Sequence, residues 1–471
     1  MHNIEQIFIN GEFVTPHGTE RFDLYNPATA RVIGQVRLAD EVDGERAIAA
    51  AKAAFPAWSQ TSKAERIAAL KRMHAAVVAR HDEMLEAVIE EYGAPASRSA
   101  WMASYPAEVI AQAIAALEAF EFTSAAGAAT VQMVPLGVAG LITPWNSDAG
   151  FICGKLAVAL AAGCTAVIKP SEMSALQTRV ITEALADAAL PPGVFNIVTG
   201  RGDRVGETLS RHPDVAKISF TGSTTTGKAI LRNAAESFKR VTLELGGKSP
   251  TILLEDVDLT NAIPLVVQAG FMNSGQACVA GTRILVPQSR KAEIETALAD
   301  AVAAVKSGDP RDNATEIGPM VSEKQWQRVQ SYIRKGIDEG ARLLAGGEGR
   351  PEGTQDGWFV RPTLFADVNN QMAIARDEIF GPVLCVIPYR DEAEAVAIAN
   401  DTDYGLSAMV LGGDVARAHR VAQQIVSGRV LVNTLAHEPK APFGGFKHSG
   451  VGREMGESGI RAFMEPRSVV G

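Results

Sequence analysis

Cysteine, runs of basic residues and long apolar segments are what this sequence is short of. The four cysteines, Cys153, Cys164, Cys278 and Cys385, are too few and too scattered for a disulfide framework, and none forms a CxxC pair of the zinc-binding kind. They read as reduced thiols, and no metal site is expected. Lys and Arg are nowhere clustered and the formal net charge is −9, which excludes a nucleic-acid partner, because binding to a phosphate backbone draws on concentrated positive charge. The longest apolar run, residues 156–168, is broken by Gly163 and Thr165 and falls short of the roughly 20 residues needed to cross a bilayer. The opening MHNIEQIFIN lacks the basic segment, apolar stretch and small-residue cleavage site of a signal peptide. The expectation is a cytoplasmic protein with no membrane partner.

What is present is a long chain of balanced composition. Its 471 residues, 46% hydrophobic and 21% charged, suit a folded globular protein. They also exceed the size at which a single core keeps growing, so two or three structural units are expected. IFINGEFV reads as two short strands joined by an Asn10-Gly11 turn of type I′. From about residue 40 to residue 92 the pattern is helical, with Ile67, Leu70, Met73 and Val77 on one face. Four short apolar runs follow, VAGLIT, AVIKP, VFNIVTG and AKISFTG, each ending in a polar or glycine-rich turn. With helical sequence between them they indicate βαβ units and a parallel sheet. A second alternation begins near VTLELGGKSPTILLED and runs to GRVLVNT, with GGEGRPEGTQDG as a surface loop inside it.

Three stretches have the means to hold phosphate or ribose. GRGDRVG, residues 200–206, is one residue longer than the GxGxxG dinucleotide fingerprint. GSTTTGK, residues 222–228, fits GxxxxGK after a strand and raises a P-loop nucleotide hydrolase as an alternative, but Ala229 stands where the Mg²⁺-holding hydroxyl belongs. AVIKPSE puts Lys169 and Glu172 just past a buried strand, where open α/β sheets bind nucleotides.

Taken together, PWNSD, KPSE, FTGSTTTGK, LELGGKSP, SGQAC, DEIFGPV and PFGGFKHSGVGRE occur in one order along nearly the whole chain. That series resembles the NAD(P)-dependent aldehyde dehydrogenase superfamily. The resemblance implies an α/β fold in three parts: a Rossmann-like cofactor domain (residues 1–124 and 137–246), an α/β catalytic domain (247–460) and a small β extension that pairs subunits (125–136 and 461–471). It implies oxidation of an aldehyde to the acid in a homodimer or homotetramer, with NAD as cofactor and NADP possible. Cys278 matches the nucleophile, Glu244 the general base and Asn146 the oxyanion-stabilising amide. Lys155 matches a lysine linked to proton relay. Trp145, Lys169, Glu172, Gly202, Phe220, Gly222, Ser223, Gly246, Glu378 and Phe380 are the expected cofactor contacts. A catalytically silent protein derived from such an enzyme would keep the fold and lose these groups, so the retention of Cys278, Glu244 and Asn146 argues against it.

The chemistry needs these residue types. Hydride does not leave an electron-poor aldehyde carbon readily, but it leaves a tetrahedral adduct bearing an oxyanion. A thiolate makes that adduct and later leaves the thioester it forms. Fixed amide donors hold the oxyanion, and a carboxylate activates water for hydrolysis.

The stretch PWNSD departs from the family pattern. After Asn146 the family often has an aromatic residue and a proline, whereas Ser147 and Asp148 stand here. The substrate tunnel is expected to be lined by Ser147, Asp148, Phe151, Ala277, Val279 and His437, with Lys440 at its mouth. An Asp148 facing that tunnel would disfavour anionic aldehydes; the competing reading makes it a helix cap. Glu172, placed against the ribose 2′ position, favours NAD over NADP, with Lys169 and Arg201 able to offset the repulsion.

Overall fold

The structure, a computed structural model, describes residues 1–354 and 356–471; Gln355, in the expected surface loop, lies outside the described residues. The apolar runs become the middle of an eight-stranded sheet. Its order is Gly450–Val451, Arg240–Glu244, Val215–Thr221, Val138–Ile142, Thr165–Lys169, Phe195–Ile197, Ile7–Ile9 and Glu12–Val14. The five strands from Arg240–Glu244 to Phe195–Ile197 run parallel. VAGLI and TAVIK are buried at every position, which is why they read as unbroken apolar runs rather than alternating ones. The opening hairpin is antiparallel, Ile7 facing Val14. Its Asn10 and Gly11 have φ of 54° and 84°, the double positive φ that a type I′ turn requires.

Strand order locates the ligand crevice. From Val138–Ile142 the chain steps outward through the next two parallel strands, then returns to the other flank of Val138–Ile142 with Val215–Thr221 and continues to Arg240–Glu244. The reversal lies between the carboxyl ends of Val138–Ile142 and Val215–Thr221, and ligands of open α/β sheets bind outside such a switch point. PWNSD and FTGSTTTGK both begin there.

A second, seven-stranded sheet has the order Arg342–Ala345, Thr363–Ala366, Val383–Tyr389, Arg283–Pro287, Pro250–Leu253, Ser407–Leu411 and Arg429–Val432. All its pairs are parallel except the first. VTLELGGKSPTILLED is therefore divided between sheets. VTLE closes the parallel part of the first and PTIL opens the second, with residues 245–249 crossing between them. Two residues of the late motif PFGGFKHSGVGRE return to the first sheet as Gly450–Val451, beside Arg240–Glu244. Thr123–Ala126, Ala129–Pro135 and Met464–Val470 make a separate antiparallel sheet, with Met464 facing Pro135 and Val470 facing Ala129. Among the described residues no helix is long and apolar enough to cross a membrane.

Candidate active site

The loop that carries Cys278 is built from three successive left-handed residues. The helix Leu259–Phe271 ends, and Asn273, Ser274 and Gly275 follow with φ of 55°, 59° and 75°. Each non-glycine residue in this region costs roughly 1–2 kcal/mol, so the turn needs compensation from its surroundings. At Gly275 no side chain is tolerated, because a Cβ would lie 2.2 Å from the carbonyl carbon of Gly381.

Hydrogen bonds provide that compensation. The buried Gln276 donates from Nε2 to Tyr92 Oη and to Pro319 O, both at 3.3 Å, and its Oε1 accepts from Val321 N–H at 3.0 Å. The Gln276 carbonyl accepts from Asn146 Nδ2 at 3.0 Å and Asn273 Nδ2 at 3.2 Å, and Asn273 Nδ2 also donates to Asn146 O. Locked in this way, residues 273–276 are buried while Ala277, Cys278 and Val279 stay partly open. They open onto a cavity of about 570 Å³. The other three cysteines are fully buried.

Asn146, Lys155, Glu244 and Cys278 all line that cavity, so sequence motifs more than a hundred residues apart meet at one place. Glu244 ends its strand opposite Thr221 and has both carboxyl oxygens buried without a hydrogen-bond partner. Burial pushes its pKa well above the ordinary carboxyl value, and the charge of Glu454 adds to the shift. Burial also pushes the Cys278 thiol up to about 12, helped by Glu378 and Glu244 and opposed by Arg429. Lys155 Nζ donates to Ser219 Oγ at 2.9 Å and to Glu454 Oε1 at 2.5 Å, and Ser219 Oγ donates to the same Glu454 oxygen at 2.9 Å. Glu454 closes the motif PFGGFKHSGVGRE, yet sequence reading assigned it no task, because only the fold carries it to Lys155.

Of the residues expected at the substrate tunnel and its mouth, Ser147, Phe151, Ala277, Val279 and His437 line the cavity; Asp148 does not, and neither does Lys440. Asp148 is wholly buried, its carboxyl accepting from Thr143 Oγ1 and Thr178 Oγ1 at 2.8 Å each. It begins the helix Asp148–Ala162, and the backward tilt of helical Cα–Cβ bonds aims it toward the preceding strand end rather than into the tunnel. The expectation that it repels anionic aldehydes is overturned. It is not the N-cap either, since Ser147 occupies that position.

The expected cofactor contacts form a different face from this cavity. Lys169 is buried at its strand end with Nζ 3.6 Å from Glu172, whose other oxygen is 3.2 Å from Arg201. Arg201 in turn pairs with Glu20 at 2.7 Å. Gly202 has open space where a Cβ would point, whereas one on Gly222 would strike the buried Phe220 ring at 2.5 Å. Ser223 caps the helix Thr224–Ala235, accepting from Thr226 N–H. That helix already contains Gly227 and Lys228, so no loop remains for a P-loop to wrap around phosphate, and the hydrolase alternative falls. Glu378 Oε1 accepts from Gly247 N–H at 3.0 Å, and Gly246 admits the carboxyl because a Cβ there would sit 2.4 Å from Glu378 Oε2. Phe380, at φ 63°, meets the Trp145 ring edge-on at 5.4 Å.

Gly247 ties the two faces together, since a Cβ on it would lie 2.3 Å from the carbonyl oxygen of Cys278. Gly247→Ala is expected to push the Cys278 loop out of register and lower kcat/KM by about 10²-fold, the cost of displacing reacting groups by about 1 Å. Steady-state kinetics beside a thermal melt check this; an unchanged kcat/KM would contradict it.

Residues 13–469 match the model of the aldehyde dehydrogenase family. A 3-succinoylsemialdehyde-pyridine dehydrogenase from Pseudomonas is 44% identical over 473 aligned residues, covering 100% of this chain and 99% of that protein. Among solved structures, aldehyde dehydrogenase C of Pseudomonas syringae, a cysteine-to-alanine variant complexed with NAD+ and octanal, is 44% identical with a TM-score of 0.97, covering 99% of this chain and 96% of that one. The Mycobacterium tuberculosis aldehyde dehydrogenase complexed with NAD+ is 41% identical with a TM-score of 0.96, covering 99% and 98%. The chain belongs to the aldehyde dehydrogenase family.

Proposed function

We propose that the protein oxidises an aldehyde to the carboxylic acid with NAD+, using Cys278 as nucleophile, Asn146 as oxyanion donor and Glu244 as the base for hydrolysis. The observation that carries this reading is the single cavity on which these three side chains border. The residues present fit the dinucleotide. The sheet reverses beside Gly222 and Ser223, Lys169 and Glu172 stand at a strand end, and Gly202 faces open space, whereas Gly222 and Gly246 make room for Phe220 and Glu378 of the same face. Lys169 and Glu172 would take ribose hydroxyls, the helix that Ser223 caps would take phosphate, and Glu378 would take the second ribose.

The Cys278 thiolate attacks the aldehyde carbon and forms a C–S bond, and the carbonyl electron pair moves onto oxygen. The second N–H of the Asn146 amide and the Cys278 backbone N–H are the donors for that oxyanion. NAD+, when bound, supplies the acceptor for the hydride. The thioester on Cys278 is then attacked by water that Glu244 deprotonates, releasing the acid and the thiolate. Lys155, Ser219 and Glu454 form a hydrogen-bonded row beside Glu244 along which a proton can leave. A nucleophile that must stay reduced suits the cytoplasm. The strand Met464–Val470 is an unpaired sheet edge with Val469 and Val470 exposed, which supports pairing with a second copy in a dimer or tetramer.

NADH formation from a panel of aldehydes at fixed NAD+ tests the reading, and absence of turnover with every aldehyde would sink it. With NADP+ in place of NAD+, kcat/KM is expected to fall by about tenfold or more, because a Glu172 carboxylate holding ribose hydroxyls would repel the added phosphate. The Lys169 and Arg201 pairs temper that repulsion without removing the carboxylate. A higher value with NADP+ would reverse the assignment.

A further inference from the structure

The cavity holds two guanidinium groups that no motif pointed to. Arg98 lies on the helix Ala96–Ala119 and Arg429 on the strand Arg429–Val432, so they enter from two different walls. Arg98 lies 3.9 Å over the Trp101 ring, and Trp101 stacks on Tyr105 at 4.3 Å. Its Nε is buried without a hydrogen-bond partner. Arg429 donates from Nε to Ser407 Oγ at 3.2 Å, and its guanidinium carbon is 5.9 Å from the Phe443 ring. Among the described residues neither guanidinium is hydrogen-bonded to a carboxylate; burial pulls the pKa of both down, with the Tyr92 and Tyr105 hydroxyls near Arg98 and the Cys278 thiol near Arg429.

Arg98 and Arg429 are each partly buried, and cations drawn even partly out of water are ordinarily paired, because burial without a counter-ion is costly. The carboxylates on this wall do not meet that need. Glu454 is engaged by Lys155, Glu244 stands without a partner and is held toward its protonated form, and Glu108 is exposed. Much of the remaining lining is apolar, including Trp101, Phe151, Leu431 and Phe443. The fold thus presents planar forks suited to a carboxylate beside a surface suited to methylenes or a ring. With Asp148 turned away from the cavity, nothing at that position opposes an anion.

We propose that Arg98 and Arg429 select aldehydes that carry a carboxylate remote from the carbonyl, so that the preferred substrates are oxo acids with an apolar chain or ring between the two groups. This rests on the reading of the cavity as the aldehyde site. When the aldehyde carbon meets Cys278, the remote carboxylate neutralises guanidinium charge that lacks a partner in the free enzyme.

The test uses the full-length enzyme with NAD+ and two matched pairs, adipic semialdehyde against hexanal and para-carboxybenzaldehyde against benzaldehyde. The carboxylated member of at least one pair is expected to have the higher kcat/KM by about tenfold or more, the worth of a charge-assisted hydrogen bond; which pair shows it separates a chain from a ring. Arg98→Gln and Arg429→Gln are each expected to lower that ratio by about tenfold, through KM more than kcat, with Arg429→Lys intermediate. Preference for the neutral aldehyde in both pairs overturns the proposal. So does an equal fall for both members of a pair, which would make the arginines structural or thiolate-stabilising groups. Turnover of hexanal without selectivity removes only this inference, whereas failure of all four aldehydes removes the aldehyde reading beneath it.

Discussion

Alanine in place of Cys278 is expected to abolish NADH formation, lowering kcat by about 10⁴-fold or more, the scale seen when a covalent nucleophile is removed. The thiol borders the cavity and is partly open, whereas Cys153, Cys164 and Cys385 are fully buried. Truncating it leaves no sealed core void, so the thermal midpoint should stay near that of the wild type. Alkylation is expected to label Cys278 alone and to be slowed by aldehyde. The pH dependence follows from the raised thiol. Burial favours the protonated form at neutral pH, so raising the pH increases the thiolate fraction, and log kcat/KM should climb with a slope of about one between about pH 6 and about pH 9. Residual activity in Cys278→Ala, or activity that falls as pH rises, would refute the assignment.

Glu244→Gln is expected to separate the two halves of the reaction. Attack by Cys278 and loss of hydride remain possible, but the thioester has no base to activate water. The first turnover should appear as a burst of about one NADH per site, followed by a steady rate lower by about 10²- to 10⁴-fold. Mass spectrometry of the stalled enzyme should find the acyl group on Cys278. Because the Glu244 pKa is raised, the carboxyl is held toward its protonated form near neutral pH, and hydrolysis in the wild type should quicken as pH rises. Stability moves the opposite way. A carboxyl whose pKa is raised on folding contributes fully below its unfolded pKa, and that contribution is lost as pH rises through the folded value. The Gln variant should therefore gain on the wild type in stability as the pH is raised. A burst-free, uniformly slow variant would instead assign Glu244 to an earlier step.

Local features were legible in the sequence where one short segment carries its own cause. The Asn10-Gly11 turn adopts the positive φ values its residue types favour. The apolar runs became strands because a sheet covered on both faces demands nothing polar along its length. SGQAC marked the nucleophile loop because residues 273–275 must turn left-handed there and Gly275 has no room for a Cβ.

Other features were settled by packing that no single motif shows. Asp148 has the composition of a tunnel residue and became an interior one, because the Thr143 and Thr178 hydroxyls receive its carboxyl. Glu454 acquired its place only when Gly450–Val451 joined the first sheet and brought the segment to Lys155. Arg98 and Arg429 carry no motif, and each would pass for a surface cation if the other wall of the cavity were unknown. The sequence by itself determined the α/β architecture and the family, because backbone preference and motif order are local properties of the chain, and it singled out Cys278, Glu244 and Asn146, which the fold brings to one cavity. Which charges line the cavity was decided by tertiary structure alone, since a side chain's electrostatic surroundings are made by whatever packs against it, as Glu454 packs against Lys155 from 299 residues away along the chain.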